Sequence, residues 1–336
     1  MTQHLACNTN QAILQEGDAC FQRFVSGQQV TADEITAMIE IAQGGSAYID
    51  EIRFGYFRKA LAWFTDHTGR KKFAKIAMHP FSSNSLVNEA QGIAAAGAIA
   101  GTLENDSTHF VHLPGDQAVL IRDRIDGTPQ KRMAILSVPS SPFHYEERVE
   151  PATEYINKLV SGFDQTKIGT SLVALVEDIL RGHPIDRLPV SRSHGDFVYW
   201  NTIRTKSEVI TVDYESFSES RFVEYDFWYW HMLPISRLAC RTGRIGFAAN
   251  VLDALAPAIW KHRIVAFDPS LANLSADLRL SPRSGLALSA LEHMAQMLGE
   301  HRMPDIIDLI GGDAYDLRSD LCKLYRRLIE RLVKRT

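Results

Sequence analysis

The sequence predicts an α+β chain of two lobes: a small antiparallel sheet with one helix, then a larger, mainly helical half. Three observations predict it. Strand-type runs broken by turn signals fill residues 47–125, and apolar residues at helical spacing dominate from residue 153 onward. Between them, residues 191–230 (SRSHGDFVYWNTIRTKSEVITVDYESFSESRFVEYDFWYW) gather His194, Asp196, Asn201 and Asp213.

The bulk properties suit a soluble enzyme. A chain of 336 residues, 45% hydrophobic and 23% charged, can bury a sizeable core. A net charge of -4 offers no general attraction to nucleic acid. Cys7, Cys20, Cys240 and Cys322 are scattered without metal-ligand or disulfide-framework spacing, which fits a reducing compartment. The N-terminus lacks a basic segment followed by an apolar core, and no apolar run approaches the roughly 18 residues of a membrane span. The expected location is the cytoplasm.

Taking the elements in order, Thr31 and Glu34 form a capping-box pattern ahead of Ile35, Met38, Ile39 and Ala42, predicting a short helix that ends at Gly44-Gly45. Strands are expected over 48–54, 57–64 and 72–77, the last two joined by the Asp66-His67-Thr68-Gly69 turn. In the third strand Lys75 stands among apolar neighbours, and Glu89 follows in the alanine-rich helical run 86–100. A strand lysine paired with a helix glutamate can hold nucleotide phosphates, although Lys75 could equally be a solvent-facing strand position. Two more strands, 108–113 and 118–125, flank the turn Pro114-Gly115-Asp116. If the second leads from one lobe to the next, an adenine edge would bind backbone near Asp123 and Ile125. Residues 128–150 read as loop. Helices follow over 153–160, 170–181, 227–238, 247–260, 286–298 and 319–334.

The stretch 191–230 carries the chemistry. His194, Asp196 and Asn201 give H-x-D-x-x-x-x-N, the spacing by which a short loop carries a base and a metal ligand, and Asp213 follows the apolar run Val209, Ile210, Val212. Phosphoryl transfer asks mainly for a carboxylate at the nucleophile and hard oxygen ligands for magnesium. Asp196 suits the first role, Asn201 and Asp213 the second, and His194 suits bracing the loop.

These residues resemble the aminoglycoside phosphotransferase and choline-kinase group of small-molecule kinases, over roughly residues 46–270. His194-Gly195-Asp196-Phe197-Val198-Tyr199-Trp200-Asn201 resembles that group's H-G-D-h-x-x-x-N loop, and Val212-Asp213-Tyr214-Glu215 its I-D-[WF]-E segment. The resemblance implies a protein-kinase-like fold, ATP and Mg2+ as cofactors, Asp196 as catalytic base with His194 in the same loop, and Asn201 and Asp213 as metal ligands. It also implies Lys75 and Glu89 at the nucleotide phosphates, Glu215 as an added carboxylate, and Asp226 as the anchor of the loop. Two departures stand out: the group's Gly-Asp-Pro before that aspartate is replaced by Arg221-Phe-Val-Glu-Tyr, and the phosphate-covering turn offers only Gly55. Residues 1–45 then read as an N-terminal extension, 46–126 as the nucleotide-binding N-lobe and 127–336 as the C-lobe with catalytic loop and acceptor site.

The expected acceptor is a hydroxyl of a small molecule or glycan, with a sugar preferred. Tyr199, Trp200, Tyr214, Trp228 and Trp230 could stack on a sugar face or belong to the core. The last helix carries Leu321, Leu324, Leu328 and Leu332 on one stripe amid basic residues, so it either packs on the core or makes peripheral membrane contact. A non-catalytic nucleotide-binding module and a protein kinase are the rival readings.

Overall fold

The computed structural model describes residues 31–55, 59–78, 80–100, 108–115, 117–130, 138–146, 148–161, 186–206, 208–275, 277–300 and 312–333. The helix expected over 170–181 lies outside them. They divide into two compact units: residues 31–127 with Tyr214–Ser216, and residues 128–213, 217–300 and 312–333.

The first unit opens with helix α1, Ala32–Gln43. Its capping box is complete: Glu34 N–H donates to Thr31 Oγ1 at 3.2 Å and Thr31 N–H to Glu34 Oε2 at 2.8 Å. Gly44, at φ 71, closes it in the left-handed region that glycine enters without strain. Strands β1 (Ala47–Gly55), β2 (Lys59–Asp66) and β3 (Lys71–Ala77) follow, then helix α2 (Pro80–Ala100) and strands β4 (His109–Leu113) and β5 (Gln117–Asp123). The sheet is antiparallel throughout, in the order β1-β2-β3-β5-β4. The register sets Ala60 opposite Ile76 and Ala62 opposite Ala74. With Phe64, Val119 and Ile121 these residues form a fully buried face that packs with Ile35, Ile39 and Ala42 of α1. The segment expected as an extension therefore supplies one side of this unit's core.

Alternation puts Lys59, Leu61 and Lys75 on the other face. There α2 packs on β3 and β5 through the stripe Leu86, Glu89, Ile93, Ala96. This helix begins six residues before Leu86, because Pro80 in a first turn gives up only an N–H that has no helical partner. In the β2–β3 turn, Asp66 Oδ1 accepts from Thr68 N–H, Thr68 Oγ1 and Arg70 N–H at 2.9, 2.6 and 2.9 Å. Burial alone would raise this carboxyl, but those donors hold it at about 2.

The second unit runs β6 (Thr128–Pro129), β7 (Arg148–Pro151), α3 (Ala152–Ser161), β8 (Arg187–Ser193), a 3-10 turn (Tyr199–Asn201), β9 (Thr202–Arg204), β10 (Val209–Thr211) and β11 (Ser218–Phe222). Helices α4 (Tyr225–Arg241), α5 (Ile245–Phe267), α6 (Pro282–Glu300) and α7 (Gly312–Val333) complete it. Two three-stranded sheets, β10-β9-β6 and β11-β8-β7, frame the loop after β8. The stripe Leu321, Leu324, Leu328, Leu332 of α7 is at most 4% exposed and lies in the same core as α4, α5 and α6. The apolar face that peripheral membrane contact would need is thus occupied inside the protein. Of its basic residues, Lys323 pairs with Asp320 at 2.9 Å, Arg326 with Glu330 at 3.0 Å and Arg331 with buried Asp253 at 2.7 Å. No helix among the described residues is long and apolar enough to cross a membrane.

Candidate active site

In the second unit, β8 runs into Ser193-His194-Gly195-Asp196, and the carboxylate of Asp226, in the first turn of α4, gathers this segment. Its Oδ2 accepts from His194 N–H at 2.7 Å, and its Oδ1 accepts from Gly195 N–H at 2.9 Å and Ser193 Oγ at 3.0 Å. Gly195 sits at φ 82, so the residue after the histidine must be one that tolerates left-handed backbone. The His194 ring is fully buried. Its Nδ1 accepts Asp196 N–H at 3.2 Å, which leaves the proton on Nε2 to donate to Val212 O at 2.9 Å. His194 ties the loop to the segment carrying Asp213, and both of its nitrogens are engaged in doing so.

Asn201 ends the 3-10 turn and donates through Nδ2 to both Asp196 O and Asp196 Oδ2 at 2.9 Å. The Tyr229 hydroxyl, whose hydrogen bond runs to His293 Nε2 at 3.5 Å, also acts to lower the Asp196 carboxyl. Burial first, and the negative charge of Asp213 second, raise Asp196 to about 6 against these bonds. Asp213 stands two residues past the end of β10, with φ 69, a left-handed conformation uncommon for a residue with a side chain. Backbone of this kind concentrates at functional positions.

This donor set suits a hard divalent cation. The hydrogen bonds of Asn201 run through Nδ2, so its amide oxygen is the atom a cation would use, beside a carboxylate whose charge already disturbs Asp196.

In the first unit the register places Lys59 and Lys75 on one face of the sheet, and Glu89 reaches that face from α2. Lys75 Nζ lies 2.8 Å from Glu89 Oε2 and 3.1 Å from Glu215 Oε1, while Lys59 Nζ meets Glu215 Oε2. Burial would raise Glu215, but the ammonium groups of Lys75 and Lys59 outweigh it and hold the carboxyl well below the usual range. Asp123, at the end of β5, pairs with Lys72, and Ile125 stands two residues beyond the strand. The strand expected to reach Ile125 stops short of it, and pairing ends as Arg124 N–H donates to Lys71 O at 3.1 Å.

Sequence reasoning missed two residues. Lys59 looked like any lysine at a strand end, and only tertiary burial, at 5% exposure, sets it apart. Tyr229 was hidden in an aromatic run whose other members are core: Trp228 and Trp230 are 1% and 2% exposed, and Tyr214 is buried as well. Of the aromatics considered for sugar stacking, Tyr199 and Trp200 remain half-buried, in an edge-to-face pair at 4.8 Å, with the Arg237 guanidinium 4.7 Å over the Trp200 ring.

No protein-family model and no curated protein matches this sequence. Solved structures do match it. A proposed aminoglycoside phosphotransferase from Ralstonia eutropha JMP134 is 13% identical, covering 91% of this chain and 99% of its own, with a TM-score of 0.52. The choline kinase LicA of Streptococcus pneumoniae is 10% identical, covering 89% and 98%, with a TM-score of 0.48. A proposed fructosamine-3-kinase from Thermobifida fusca YX-ER1 is 15% identical, covering 89% and 99%, with a TM-score of 0.46. The first of these matches, together with the antiparallel sheet unit and the helical unit, gives this chain a two-lobed protein-kinase-like fold.

Proposed function

We propose that the protein is an ATP-dependent phosphotransferase that moves the γ-phosphate to a hydroxyl of a small molecule, preferably a sugar or glycan. The observation that carries this reading is the constraint on Asp196. Asp226 fixes the loop by three hydrogen bonds, Asn201 fixes the carboxyl, and its protonation near pH 6 leaves it ionised but basic at neutral pH. In the reaction the acceptor oxygen forms a bond to the γ-phosphorus, the bond from that phosphorus to the β–γ bridging oxygen breaks with its electrons leaving on ADP, and the acceptor proton passes to Asp196. Asn201 and Asp213 would hold Mg2+, which when bound neutralises phosphate charge. Lys75, oriented by Glu89, would contact the nucleotide phosphates, with adenine at the backbone near Asp123 and Ile125. Tyr199 and Trp200 are the aromatics left to face a sugar, and the proposed location is the cytoplasm.

An ATP-consumption screen over sugars, amino alcohols and aminoglycosides tests the reading. Turnover with at least one acceptor is expected, reduced about 100-fold or more in Asp196→Asn. Undiminished turnover in that variant contradicts the role of Asp196. Magnesium-dependent thermal stabilisation by ATP with no turnover on any acceptor favours a non-catalytic nucleotide-binding module instead.

A further inference from the structure

Lys59 is used by nothing in the mechanism above, yet it is 5% exposed and its ammonium meets Glu215, the carboxylate that also meets Lys75. Pairing with Gly55 on one side and Ala77 on the other fixes its backbone. Its neighbour Leu61 lies opposite Lys75, so the two lysines project from the same face of the sheet as diagonal neighbours. Each takes one oxygen of Glu215. Two ammonium groups gripping the two oxygens of one carboxylate present the geometry that a terminal phosphate, with its non-bridging oxygens, would also satisfy.

We propose that Lys59 and Lys75 together form a phosphate-binding site, and that Glu215 is an internal anion which the nucleotide's phosphates displace. The inference rests on the phosphotransferase reading for the identity of the ligand. Glu89 and Glu215 supply carboxylate partners to the two ammonium groups. Only as Glu215 leaves, therefore, does an incoming phosphate meet the ammonium groups of Lys59 and Lys75 opposed by one carboxylate, Glu89, instead of two. Glu215 thereby lowers affinity for phosphate groups, and Lys59 adds a second charge-assisted contact to the one that Lys75 supplies. A contact of that kind corresponds to about tenfold or more in affinity.

Inorganic tripolyphosphate in EDTA, followed by calorimetry and thermal shift, tests the site without acceptor, adenine or metal. Wild type is expected to bind, Lys59→Met to bind about tenfold more weakly or worse, Lys59→Arg to stay within a few-fold of wild type, and Glu215→Gln to bind about tenfold more tightly. No binding by wild type, or equal binding by Lys59→Met and wild type, overturns the proposal. So does a Glu215→Gln protein with unchanged or weaker binding, the behaviour expected of a carboxylate that only supports metal. Should Lys59→Met fail to fold, the Lys59→Arg and Glu215→Gln arms decide. Failure of the two readings is separable. A protein with this binding pattern that consumes no ATP keeps the site and loses the reaction, while one that turns over ATP with Lys59→Met binding as wild type keeps the reaction and loses the site.

Discussion

In the loop after β8, Asp196 receives a neutral donor from Asn201 and feels the like charge of Asp213; in the sheet unit, Glu215 receives two ammonium groups. Both carboxyls are desolvated, and desolvation alone would raise both. The partners decide whether that rise survives: at Asp196 the charge of Asp213 adds to it and the carboxyl stands at about 6, while the lysines hold Glu215 well below the usual range. A carboxylate left basic can take a proton from an alcohol, whereas one matched by lysines serves as a fixed counter-ion until another anion competes for them. Asp226 shows a third arrangement, in which two backbone N–H groups and a hydroxyl converge on one side chain and make it a brace.

The comparison can be broken at several points. Asp226→Ala strands the N–H groups of His194 and Gly195 and the Ser193 hydroxyl in a buried place, so a loss of about 3 kcal/mol in denaturant unfolding is expected, with turnover lost as well. A stability change below about 0.5 kcal/mol would show that the loop holds itself. Gly195→Ala, which puts a side chain at φ 82, should cost about 1–2 kcal/mol and leave the sheet unit's tripolyphosphate binding unaltered.

The smallest effect is the most discriminating, because its sign differs between the two regions. The native state keeps a proton on Asp196 that the unfolded chain releases above about 3.8, so its stabilising contribution is complete below that pH and is lost as pH rises through about 6. For Glu215 the contribution is present above the ordinary carboxylate range and is lost as pH falls below it. At pH 8, Asp196→Asn should therefore melt higher than wild type and Glu215→Gln lower, each by on the order of 1 kcal/mol, and both differences should shrink toward acid pH. Shifts of the same sign in thermal melts would remove the distinction.

Much of the fold was legible because its signals are local. Thr31 and Glu34 are a capping box readable from the letters, and Ala60, Ala62 and Phe64 alternate with half-buried neighbours as a strand with one core face should. The H-x-D-x-x-x-x-N spacing was legible for the same reason, since Asn201 reaches back to Asp196 within one short loop. What stayed hidden depends on distant parts of the chain. The pairing of Lys59 with Glu215 spans 156 residues, so nothing near Lys59 distinguishes it from Lys71 or Lys72. Tyr229 was indistinguishable from Trp228 and Trp230 because an aromatic run shows periodicity and bulk, not which ring acts on the Asp196 carboxyl. The basic stripe of α7 was ambiguous because the partners that bury its leucines lie on α4, α5 and α6.

The central claim is that Asp196 takes the proton of an acceptor hydroxyl during transfer of phosphate from ATP. The most direct measurement is phosphorus NMR of ATP with the best acceptor from the screen, using wild type and Asp196→Asn at equal folded concentration. A phosphomonoester resonance growing in step with ADP for wild type, and slowed about 100-fold or more in the variant, is the predicted result. ADP formed without the ester, or the ester formed equally fast by Asp196→Asn, would contradict it.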